Sequence, residues 1–152
     1  MRTAVSCSPI GLVRNGITDL TGITWEETTS QVVLDPPWEP ALEGIEAFSH
    51  IWVVFWLDRA EPPPSLKARP MGREDMPEVG IFATRSPRRP NPIGITVVRL
   101  LERRGRVLVV RGLDALDGTP VLDLKPYLRG DKVARPRLPS WPRKLGDRVK
   151  RF

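Results

Sequence analysis

Residues 82–94 read FATRSPRRPNPIG, and three prolines within six positions decide what that stretch cannot become. Proline lacks the N–H that a sheet ladder needs and drives the residue before it out of the helical region. Pro87, Pro90 and Pro92 therefore predict a stiff loop that presents Arg85, Arg88 and Arg89. The same constraint acts along the whole chain. Seventeen prolines and twelve glycines in 152 residues leave little room for long helices, so the core has to come from short strands.

The strongest strand signal is SHIWVVFWL at residues 49–57, β-branched and aromatic with apolar residues on both faces. Such a run predicts a central, buried strand. Further strands are expected at residues 8–15, 28–34, 79–83, 93–102, 106–113 and 121–127, with a hairpin turn at 103–105 and one helical turn at 39–45. Residues 58–78 read as a long polar loop. About seven strands with short connections and little helix predict an all-β domain, barrel or sandwich. The expected organisation is one β domain over residues 1–130 and a basic, proline-containing tail or arm over 131–152.

Charge separates along the chain. Residues 1–64 hold three Arg or Lys against nine Asp or Glu; residues 65–128 hold twelve against seven; residues 129–152 hold nine against two. A basic second half suits an anionic partner such as nucleic acid, and equally a merely solvated face. Arg135, Arg137, Arg143 and Lys144 around Trp141 suit a grip on phosphates with a ring stacked on a base, or equally a disordered basic end that is merely soluble. Cys7 is the only cysteine, which excludes an internal disulfide and a cysteine-cluster metal site and fits a reducing, cytoplasmic setting. No secretory signal and no membrane-spanning run is expected. Neither a dinucleotide-type glycine turn nor a P-loop is present. His50, the single histidine, sits among tryptophans and reads as a core residue more readily than a catalyst.

Two constellations carry candidate chemistry. The arginine loop offers guanidinium groups suited to carboxylate or phosphate through paired hydrogen bonds, or equally a solvated turn with no ligand. The segment LDALDGTPVLDLKPY at 113–127 contains the turn Asp117-Gly118-Thr119-Pro120, followed by a strand on which Asp123, Lys125 and Tyr127 share one face. An acid, an amine and a phenol in a row suit a polar cleft wall, or a solvent-facing edge with an Asp–Lys pair. Asp114 and Asp117 add acceptors suited to ribose hydroxyls.

Taken together, HIW at 50–52, GIFATRSPRRPNPIG at 80–94 and LDALDGTPVLDLKPY at 113–127 resemble the TsaA-like domain of the TrmO-type tRNA methyltransferases, over roughly residues 8–130. The resemblance implies a small β-barrel that binds S-adenosylmethionine, forms a homodimer without metal, and methylates N6 of threonylcarbamoyladenosine beside the tRNA anticodon. It implies a cofactor pocket involving Arg85, the backbone near Ile95, and Asp117, Gly118, Thr119 and Pro120, with Asp58 and Arg59 at a position that differs from the family pattern. Asp123 and Tyr127 would then accept a proton and Lys125 would stabilise negative charge, as catalytic residues. Residues 18–28 stand where the family carries an early Pro-Arg-Gln segment. A non-catalytic RNA-binding barrel and a methyltransferase of this fold acting on a small molecule are the alternatives.

Overall fold

In the computed structural model, residues 4–142 and 145 are described. Arg143 and Lys144 of the expected RNA grip lie outside the described residues. The chain divides into two compact units: Met1–Asp58 with Ile93–Tyr127, and Arg59–Pro92 with Leu128–Phe152.

The first unit is a closed, wholly antiparallel six-stranded barrel. Its strands are β1 (Gly11–Arg14), β2 (Thr29–Leu34), β3 (His50–Trp56), β6 (Ile93–Arg104), β7 (Val107–Arg111) and β8 (Pro120–Pro126), arranged β1-β2-β7-β6-β3-β8. The period-2 alternation of a pleated strand turns Val32, Ile51, Val53, Phe55, Val98, Leu108, Val110 and Val121 into the interior. Gly94 is where that interior is tightest: a Cβ there would lie 2.2 Å from Cε2 of Phe55, so the aromatic ring occupies the space a side chain would need. Gly11 makes a comparable approach with backbone, 2.2 Å from the carbonyl oxygen of Val33. A run of 3-10 turns, Pro36–Leu42 and Ile45–Ala47, inserts Leu42 into the core, with Ile45 and Phe48 packed against it.

The second unit contains a two-stranded sheet, β4 (Lys67–Ala68) with β5 (Val79–Gly80), and short 3-10 turns. The strand expected at 79–83 stops after Gly80. The N–H of Ile81 bonds the carbonyl of Leu66, and the chain then curls into the 3-10 turn Ile81–Ala83. The expected long polar loop at 58–78 accordingly contains β4.

Candidate functional site

Residue parity on β6 sets the geometry of the first candidate region. The N–H of Leu100 donates to the carbonyl of Ser49, in the β3 direction. Backbone groups alternate along a strand, so those of Gly94, Thr96 and Val98 also face β3, and those of Ile93, Ile95 and Val97 face away. On that far side β7 pairs β6 only from Arg99 onward. The β7-facing N–H and C=O groups of Ile95 and Val97 thus lie on an open strand edge. The side chain of Ile95 points outward and is 48% exposed.

Beside this edge runs the segment that follows β7. Thr96, buried, donates its hydroxyl to a carboxylate oxygen of Asp114. The chain continues through buried Leu113 and Ala115 into the Asp117–Pro120 turn, with Gly118 at φ 82°. That turn is held from within. Oδ1 of Asp117 accepts the N–H groups of Asn15 at 2.8 Å and Gly16 at 3.1 Å, while Oδ2 lies 3.5 Å from the Arg14 guanidinium. These bonds, the backbone ones above all, hold the Asp117 pKa below the usual carboxylate range. Gly118 N–H donates to the Val13 carbonyl, and the Thr119 carbonyl accepts from Val13 N–H. Asn15 completes the clamp, with Nδ2 donating to Oγ of Ser30 and to the Ala115 carbonyl. Asp117 is therefore a positioning residue for the turn. Asn15 was not singled out from the sequence; the dipeptide Asn15-Gly16 is a turn signal, but two of its partners, Asp117 and Ala115, lie about a hundred positions away.

The outer face of β6-β3-β8 gathers the other candidates. Lys125 is opposite Trp52, and Asp123 is opposite Val54, which in turn faces Ile95 across β3 and β6. Nζ of Lys125 lies 2.7 Å from Oδ2 of Asp123, which confirms the shared face expected from alternation. Tyr127 follows, its ring centroid 5.9 Å from Trp52 and 6.4 Å from His50. β3 has its buried face inward only. Trp52, Val54 and Trp56 are half-buried on the outside, so the expectation of burial on both faces does not hold. His50 also stands on this outer face, its Nδ1 2.9 Å from Oγ of Ser49.

In the second unit the proline loop is braced by its own side chains. Arg89 folds back, and its guanidinium donates to the carbonyls of Thr84 and Ser86, both at 3.3 Å. Thr84 is buried and its hydroxyl donates to the Ile81 carbonyl. Arg88 pairs with Glu61 at 2.8 Å. Arg85 is exposed and has no ion pair among the described residues.

The chain resembles known proteins over most of its length. It is 53% identical over 103 residues to an Archaeoglobus fulgidus protein named "Probable S-adenosyl-L-methionine-binding protein", covering 68% of this chain and 27% of that one. It is 42% identical over 99 residues to the Mus musculus "tRNA (adenine(37)-N6)-methyltransferase", covering 59% of this chain and 21% of that one. A crystal structure of TrmO from Pseudomonas aeruginosa superposes with a TM-score of 0.76 at 36% identity, covering 92% of this chain and 62% of that one. The chain thus spans less than two thirds of the length of each of these three proteins. The family described as "tRNA-methyltransferase O N-terminal domain" matches residues 18–131, and the chain belongs to that family.

Proposed function

We propose that this chain is an S-adenosylmethionine-dependent methyltransferase that modifies N6 of threonylcarbamoyladenosine next to the tRNA anticodon, acting as a homodimer. The observation that carries the reading is the open edge of β6 at Ile95 and Val97, next to the Asp114–Pro120 segment and on the same wall as Asp123 and Lys125. Names of relatives support the chemistry: one is named a "Probable S-adenosyl-L-methionine-binding protein" and another a "tRNA (adenine(37)-N6)-methyltransferase".

The donor set fits the cofactor. Main-chain groups at Ile95 that pair with no described strand suit an adenine edge, and the apolar Ile95 side chain suits its ring. Asp117, Gly118, Thr119 and Pro120 shape the turn on which the nucleoside rests. When bound, S-adenosylmethionine supplies a methyl group on a sulfonium that leaves as a neutral thioether.

The protein's task is then orientation and proton removal. The acceptor nitrogen of a carbamoylated adenine is amide-like and gains nucleophilicity as its proton departs. Asp123 or Tyr127 takes that proton. Lys125, held by Asp123, faces the negative charge that develops or pairs with the carboxylate of the modification. Arg88 suits RNA phosphate.

The test is single-turnover methyl transfer to tRNA with and without the threonylcarbamoyl group, in wild type and in Asp123→Ala and Lys125→Ala. Loss of about 10²-fold or more in rate with retained cofactor-induced thermal stabilisation is expected for the base. Unchanged rates in both variants would remove this strand from the mechanism, and absence of cofactor stabilisation in wild type would remove the reading altogether.

A further inference from the structure

The outer face of the barrel carries a second feature, away from the Ile95 edge. Register aligns His50 of β3 with Arg99 of β6, and Arg99 with Arg111 of β7. Alternation sends Arg99 and Arg111 outward, because Val98 and Val110 beside them are buried in the core; both arginines are exposed. Two arginines directly opposite in an antiparallel ladder repel each other, which destabilises a sheet. Nothing nearby relieves this: neither arginine forms an ion pair with a described residue. The 3-10 turn Trp25–Glu27 packs against β7, yet Glu26 and Glu27 do not pair with Arg111. On the other side of His50 stand Tyr127 and Trp52. The row is therefore aromatic at one end and cationic at the other, and no described residue supplies a counter-charge.

We propose that His50, Arg99 and Arg111 form a contact for the phosphodiester backbone of the RNA, with the Trp52 ring as an adjoining stacking surface. This rests on the reading that the barrel acts on tRNA and adds to it where the strand bearing the target base is held. Phosphate is the ligand that suits the row, since guanidinium forks match its oxygens and a base can stack on the neighbouring ring. Arg99 lies four residues along β6 from Ile95, a separation of about 13 Å at strand rise. The contact would hold nucleotides flanking the reacting one, without touching it.

The experiment uses the full chain and an anticodon stem–loop RNA, with fluorescence anisotropy at several salt concentrations. Arg99→Gln, Arg111→Gln and the double variant are compared with wild type, and Arg99→Lys serves as the charge-keeping control. The double variant is expected to bind RNA about tenfold or more weakly, and its slope of log K against log salt should fall by about 0.7–0.9 per arginine. Its melting temperature should stay level or rise, because like-charge repulsion is removed, and its S-adenosylmethionine-induced thermal shift should be unchanged. Unchanged RNA affinity and salt slope in the double variant, with wild type binding RNA, overturns this contact and leaves methyl transfer standing. A wild type that binds no RNA overturns both. A change in sedimentation with no change in RNA binding also overturns it, by showing that the row meets a second copy of the chain.

Discussion

Replacing Asp117 by Asn isolates the charge that holds the 117–120 turn to the end of β1. The amide oxygen of Asn is isosteric with Oδ1 and still accepts from Asn15 and Gly16, so shape and hydrogen-bond count are preserved. A hydrogen bond to a charged group contributes about 1.5–3 kcal/mol against about 0.5–1.5 for a neutral one. The Asn15 bond is part-buried and loses the full difference; the Gly16 bond is exposed and loses less. The Arg14 ion pair, 3.5 Å long with a half-exposed guanidinium, adds only a few tenths of a kcal/mol. The expected destabilisation is about 1.5 kcal/mol, a fall of about 3–6 °C in melting temperature for a chain of this size. The pH dependence is specific. The native pKa of Asp117 lies below its unfolded value of about 3.9, so its contribution is complete above that value and is lost as pH falls through the native pKa. Chemical denaturation from pH 7 down to pH 3 should therefore show a gap between wild type and variant that is constant down to about pH 5 and narrows below about pH 4. A gap of zero at pH 7, or one that does not narrow between about pH 5 and pH 3, would refute the clamp.

Gly94→Ala places a methyl group 2.2 Å from the Phe55 ring and should cost about 1–3 kcal/mol, measured by urea titration; adding Phe55→Leu should recover part of the loss, because it frees the overlapped volume. Arg103→Ala removes donors from the carbonyls of Leu42 at 3.1 Å and Gly105 at 3.0 Å, and should cost about 1–2 kcal/mol, with faster amide exchange at Glu43, whose N–H closes the Pro36–Leu42 turn.

Strand positions were legible where one interaction dominates. β3 differs from its expected span by one residue at each end, since nothing but a strand suits that many β-branched and aromatic side chains in a row. Its outer face was not legible: Trp52 and Trp56 count as apolar in a sequence, yet they stand half-buried on the outside. β1 begins at Gly11, three residues later than expected, after Pro9. β6 extends to Arg104, and the hairpin turn slides to Gly105 with φ 57°, because arginines hold strand geometry as long as a partner strand is present. The site was legible in its parts: the shared face of Asp123 and Lys125 follows from a period of two. What escaped is whatever depends on register between distant strands. The open edge at Ile95 exists because β7 stops at Arg111, and the opposed arginines exist because Arg99 falls opposite that residue. Arg89 was grouped with its neighbours as a ligand-binding cation, and no local pattern distinguishes it from Arg85; only the positions of the Thr84 and Ser86 carbonyls do.

Five of the six seams around the cylinder are joined by at least four residue pairs, while β1 and β8 meet through only two, Gly11 with Val121 and Leu12 with Pro120. One member of that short seam is an imino acid with no proton to give. Thermal breathing of the cylinder should begin there, so the amides of Ile10 and Val13, which reach across to Val121 and Thr119, will trade their protons for solvent deuterium before those of β3.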